Sequence, residues 1–241
     1  LFLLFCSWHR AVWRIEPKPM KNLGVWRWSR LAPVLLILAV MSVQADEESQ
    51  APIDALPAVV AQPNIVFILA DDLGYTDIAP YGSEVNTPTL SSLAEQGLRF
   101  TNYHTAANCA PARAMLLTGV DNHLAGVPNI PEMLAPEQRA QAHYQGVLGA
   151  NVVTVATLLE DAGYHTYMAG KWHLGATPDK RPSRRGFERT VALMDSGADN
   201  WEQRPYLPIY DQANWFADGN RLTLPEDFYS SRFLIDKTIE F

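Results

Sequence analysis

The sequence predicts an α/β protein whose mainly parallel sheet is flanked by helices. Three observations carry that expectation. Residues 64–70 are a continuous apolar run, the pattern of a strand buried on both faces. Strand-like and helix-like segments alternate after it. Strand-like runs end abruptly in polar or glycine-containing loops, which is where open α/β sheets hold ligands.

Taken in order, the apolar run stops at Asp71-Asp72-Leu73-Gly74. Residues 87–97 read as a helix. Thr87 can cap it, Pro88 suits its first turn, Leu90, Leu93 and Ala94 share a face, and Gly97 fits the position past its end. Residues 98–103 read as a strand. Cys109 falls in the next loop, and Pro111 suits the first turn of a helix running through Leu117 to Gly119. Residues 153–161 read as a helix ended by Gly163, residues 164–169 as a strand, and Gly170-Lys171-Trp172-His173-Leu174-Gly175 as the loop after it. The aromatic, proline-rich stretch 201–216 is read as a surface excursion packed on its own rings, with a substrate mouth as the alternative. The chain stops at Phe241 in what reads as mid-helix, so truncation at both ends is expected, with the C-terminal part missing.

The N-terminal region has a different character. Residue 1 is Leu and the first Met is Met20. Lys21, Arg27 and Arg30 precede an apolar run at 31–43, and Val43-Gln44-Ala45 offers small residues before Asp46-Glu47-Glu48. This is the anatomy of a secretory signal peptide at 20–45, cut after Ala45. The run is shorter than the ~20 residues of a spanning helix, although an uncleaved anchor is the alternative. Residues 1–19 then read as an over-extended reading frame with no role in the fold, 46–63 as a linker, and 64–241 as one domain. A periplasmic or secreted protein follows, with no stable membrane association after cleavage.

The chain carries 19 Lys+Arg against 26 Asp+Glu, a formal charge of −7. Arg10, Arg14, Lys18, Lys21, Arg27 and Arg30 all precede residue 46, so the exported part is more acidic still. That balance argues against nucleic acid or an anionic membrane as partner. Of the two cysteines, Cys6 and Cys109, export leaves Cys109 alone. A lone cysteine in an oxidising compartment is a structural remnant, a reactive group or a modified residue.

Three loops carry candidate chemistry. Asp71 and Asp72 are adjacent carboxylates at a strand end, which a hard cation would relieve of mutual repulsion; a solvated turn is the alternative. Cys109 stands at the mouth of a helix with Arg113 one turn in, where backbone N–H groups and a guanidinium favour an anion; a buried thiol and a surface arginine are the alternative. Lys171 and His173, two apart on an extended segment, could bind an anion and a leaving oxygen, or form a plain basic loop. His104, His123, His143 and His165 read as structural, the first two with some chance of lining the pocket.

The combination of motifs resembles the N-terminal part of sulfatases, within the alkaline phosphatase superfamily. Cys109-Ala110-Pro111-Ala112-Arg113 resembles the family's Cys-x-Pro-x-Arg signature, completed by Leu117-Thr118-Gly119. Asp71-Asp72-Leu73-Gly74 and residues 170–175 resemble two further family segments. Residues 104–108 and 224–231 are similar to bacterial arylsulfatases. Ala112 departs from the Ser of many members. The resemblance implies an alkaline-phosphatase-like sulfatase fold. It also implies that a formylglycine-generating enzyme oxidises Cys109, and that the hydrated aldehyde attacks a sulfate ester and then expels sulfate by elimination. It implies a calcium ion, in preference to magnesium, held by Asp71, Asp72 and the modified Cys109. Arg113 would hold the charged nucleophile, Lys171 the sulfate, and His173 the proton of the elimination. The family's remaining site segments have no match here, so the chain is expected to carry roughly half of a site and to be inactive alone. Competing readings are a phosphonate or phosphate ester hydrolase of the same superfamily, and a secreted binding protein without catalysis.

Overall fold

A computed structural model describes residues 2–7 and 62–241. The expected signal peptide and nearly all of the expected linker lie outside the described residues. In chain order the elements are β1 (Phe2–Ser7), β2 (Ile65–Leu69), α1 (Pro88–Gln96), α2 (Cys109–Thr118), α3 (Val155–Asp161), β3 (His165–Lys171), β4 (Arg189–Leu193), β5 (Trp215–Ala217), β6 (Asn220–Arg221) and α4 (Ser230–Glu240). The described strands form one sheet in the order β2-β1-β3-β4-β5-β6.

The expectation of a mainly parallel sheet is overturned. β1 runs antiparallel to both β2 and β3, and β5 runs antiparallel to both β4 and β6. The β3–β4 pair is parallel. The sheet is therefore mixed and mainly antiparallel. β2, β3 and β4 do point the same way; the alternation of strand-like and helix-like segments marks the first two of these strands but not β4. The departure comes from two segments whose pairing that pattern does not reveal. β1, within the stretch expected to take no part in the fold, is inserted between β2 and β3, and the short β5–β6 hairpin extends the sheet past β4. The residues outside the description are N-terminal. The C-terminal end, expected to be the deficient one, is a formed helix, with the Phe241 N–H bonded to the Lys237 carbonyl at 3.2 Å.

Each face of the sheet has its own apolar layer. Met168, Ala192 and Phe216 pack with Ala110, Ala114 and Leu117 of α2 and Ala156 of α3. Ala169, Val191, Leu193 and Trp215 point the other way, against Leu234 of α4 and Phe228. The alternation follows the pleat, which sends successive side chains to opposite faces. Ala110 and Ala114 are fully buried, and their small side chains let α2 lie close to the sheet. β2 is half-buried rather than covered on both faces. Ile65, Phe67 and Leu69 pack inward, while Val66 and Ile68 stay exposed, because α4 lies over β3 and β1 instead.

Other local expectations also change. Residues 98–103 form no strand; Phe100 and Tyr103 are exposed, and the Phe100 carbonyl accepts from the Tyr81 hydroxyl at 2.9 Å. The Thr87 side chain does not cap α1 but accepts from the Ala79 N–H. Gly97 is extended. Gly119, by contrast, closes α2 with φ +67, a left-handed conformation that glycine adopts without strain.

Candidate active site

Strand register explains why the first and third loops meet. Leu69 of β2 and Gly170 of β3 are both partners of Phe2 in β1, so the two strands end at the same level. Asp71 follows β2 by two residues and Lys171 is the last residue of β3, and Lys171 Nζ is 2.7 Å from Asp71 Oδ2. Asp71, Asp72 and Lys171 line one cleft of about 440 Å³, with Tyr206 and Trp215 on its walls. Asp72 has φ +56, which turns the chain sharply after the first carboxylate.

Cys109 is the first residue of α2 rather than part of a preceding loop. The N–H groups of the first helical turn have no partners within the helix, which makes this end favourable for an anion. Sγ of Cys109 lies 3.5 Å from His173 Nδ1. Burial alone would push the thiol up, but the hydrogen bond and charge of His173, together with Lys171, leave it below its ordinary value.

The third loop is held rigidly. The buried Arg113 donates from Nε to the Trp172 carbonyl at 2.9 Å and from a terminal nitrogen to the Lys171 carbonyl. It thereby ties α2 to the end of β3. Burial lowers the guanidinium to about 10, with Asp71 and Cys109 acting in the opposite direction. The Trp172 ring is buried, its N–H reaching the Lys180 carbonyl, and its backbone N–H bonds Leu193. Between these anchors His173 adopts φ +57, uncommon for a residue with a Cβ. Lys171 and His173 therefore converge on residue 109 through a left-handed turn, not through the extended spacing expected.

Behind His173 stand groups that the motifs did not indicate. His173 is 1% exposed, and its Nε2 is 3.1 Å from Glu132 Oε2. The Tyr210 hydroxyl donates to Glu132 Oε1 at 3.0 Å. Burial pushes His173 down, but Cys109 and Glu132 outweigh it and leave the ring more basic than usual. Burial pushes Glu132 up, but His173 and Tyr210 hold it below the ordinary carboxylate range. Asp195 is also buried; burial raises it even though it accepts hydrogen bonds from Asn214. Glu132 lies in the 131–133 turn and Tyr210 in the aromatic stretch, so neither has a local pattern to betray it. Of the other histidines, His104 bonds Asn102, His165 pairs with Glu188, and His123 pairs with Asp121. None of these contacts reaches residue 109.

Among the described residues, no group of three or more His, Cys, Asp or Glu side chains is arranged to enclose a metal ion. Asp71 and Asp72 offer hard oxygen donors, but calcium takes about six to eight, and Asp71 is already paired with Lys171. The residues present do not by themselves make a calcium or magnesium site.

A cysteine at a helix N-terminus, faced by a lysine and a histidine from the end of β3, is thus what the α/β scaffold brings together. The sulfatase family model matches residues 63–241, and the chain belongs to that family. It is 42% identical over 172 residues to an arylsulfatase of Klebsiella aerogenes, covering 70% of this chain and 37% of that one. It is 40% identical over 192 residues to an uncharacterized sulfatase of Schizosaccharomyces pombe, covering 74% of this chain and 34% of that one. The crystal structure of Ps i-CgsB is similar with a TM-score of 0.57 and 28% identity, covering 72% of this chain and 40% of that chain. The chain thus spans about a third of the length of the curated relatives it matches. No helix among the described residues is long and apolar enough to cross a membrane.

Proposed function

We propose that this chain carries the nucleophile-bearing part of an arylsulfatase-type sulfuric ester hydrolase, exported to the periplasm or secreted. The observation that carries the reading is the convergence of His173 and Lys171 on residue 109 at the start of α2. In this reading a formylglycine-generating enzyme converts Cys109. The hydrated aldehyde supplies one oxygen for attack on sulfur and a second whose deprotonation releases sulfate. Lys171 neutralises a sulfate oxygen, and His173 holds or removes a proton at residue 109 through Nδ1. Arg113 keeps both in place through the backbone it grips. Its donors to the Lys171 and Trp172 carbonyls make its support of the nucleophile largely positional. A calcium ion held by Asp71, Asp72 and the modified residue 109 belongs to the same reading, with further oxygen donors needed to complete its shell. An aryl sulfate is the proposed substrate, supported by similarity to the Klebsiella aerogenes arylsulfatase.

The test is the mass of the tryptic peptide spanning residues 100–113, taken from protein exported by a host with the modifying enzyme. Formylglycine at position 109, with labelling by an aldehyde probe, is the expected result. An unmodified thiol in a host that converts a control sulfatase would sink the proposal. In protein that also carries the family's remaining site segments, comparing aryl sulfate with aryl phosphate esters then separates this activity from that of a phosphate or phosphonate hydrolase.

A further inference from the structure

We propose that Glu132 is a positioning residue for His173: it fixes the imidazole with its proton on Nε2 and thereby turns Nδ1 toward residue 109. Three observations carry this. The Glu132 carboxylate is 6% exposed and lies 3.1 Å from Nε2, on the far side of the ring from Cys109. Its second oxygen accepts from the Tyr210 hydroxyl at 3.0 Å, so the carboxylate is itself oriented. The other ring nitrogen, Nδ1, lies 3.5 Å from Cys109 Sγ, so the ring is held between the carboxylate and residue 109. An ionised carboxylate only accepts hydrogen bonds, so it selects the Nε2–H tautomer and leaves Nδ1 to residue 109. Tyr210 reaches into this arrangement from the aromatic stretch 201–216, whose Trp201, Tyr206 and Ile209 stay exposed.

The consequence for catalysis rests on the sulfatase reading; the placement itself does not. Ring ¹⁵N–¹H correlation spectra of the unaltered chain, at a pH where the imidazole is neutral, report the tautomer directly. The expected result is His173 protonated on Nε2. A neutral ring protonated on Nδ1 overturns the proposal, and this needs no variant to fold. Glu132→Ala is expected to mix the tautomers, and Glu132→Gln, whose amide oxygen can still accept, to preserve Nε2–H. An unchanged tautomer in Glu132→Ala would refute the placement. In protein that also carries the family's remaining site segments, Glu132→Ala is expected to lower kcat on a sulfate ester about 100-fold with little change in KM, with most of the loss recovered in Glu132→Gln; equal losses in both variants would count against positioning. A chain that retains the Nε2–H tautomer but leaves Cys109 unmodified, in a host that converts a control sulfatase, would speak against the sulfatase reading and support the placement.

Discussion

Arg113 is the residue whose role changes most between motif and structure. As part of a signature it reads as an anion-binding fork. In the fold it is buried, and it donates to the carbonyls of Lys171 and Trp172. Arg113→Ala leaves buried carbonyls unsatisfied and should cost about 2–4 kcal/mol in urea unfolding. Arg113→Lys should recover little, because an ammonium lacks the planar fork that spans two carbonyls. The His173–Glu132 pair makes stability depend on pH in two directions. Glu132 is lowered from 4.5, so its contribution is full above that value and is lost as pH falls through the lower folded value. His173 is raised from 6.5, so its contribution is full below that value and is lost as pH rises through the higher folded value. Coupling in a double-mutant cycle of Glu132→Gln and His173→Gln should therefore be largest between about pH 4.5 and 6.5. A coupling that is flat from pH 4 to 9 would contradict the pairing.

At the scale of elements, α3 is placed by a cap and a glycine. Thr154 Oγ1 accepts from the Thr157 N–H at 3.2 Å and donates to the Arg185 carbonyl at 2.6 Å. One hydroxyl thus starts the helix and pins it to the turn before β4. Thr154→Ala should lower stability by about 1–2 kcal/mol. Gly186 has φ +84, and a Cβ there would meet Thr157 N at 2.2 Å. Gly186→Ala should cost more than about 1 kcal/mol and displace α3, which amide exchange across residues 155–161 would report. Losses near zero in both variants would mean that packing of Ala156 alone holds the helix. The helices at 88–96, 109–118 and 155–161 are readable because proline placement, apolar spacing and closing glycines are local signals, even though Thr87 does not cap α1; the expected strand at 98–103 fails because a strand also needs a neighbour, and none pairs with it among the described residues.

For the molecule as a whole, the sheet's connectivity decides the site. β1 joins β2 to β3 and sets Leu69 level with Gly170, which brings Asp71 to Lys171. Deleting residues 1–7 should strip protection from the amides of residues 65–69 and shift the Lys171 ammonium resonance as Asp71 withdraws. Retained protection would show that β2 is held by its packing against α2 and α3 instead. Sequence alone singled out Asp71, Asp72, Cys109, Arg113, Lys171 and His173 as candidates, because short loop motifs carry residue type and spacing directly. It also marked the segments of β2 and β3 as strands, but not β4, which follows β3 without an intervening α-helix. Tertiary structure alone decided that β1 and the β5–β6 hairpin make the sheet mainly antiparallel, and that Glu132 and Tyr210 stand behind His173. Strand pairing and a hydrogen bond between residues 41 or 78 positions apart are settled by long-range packing, which leaves no periodicity in the local sequence.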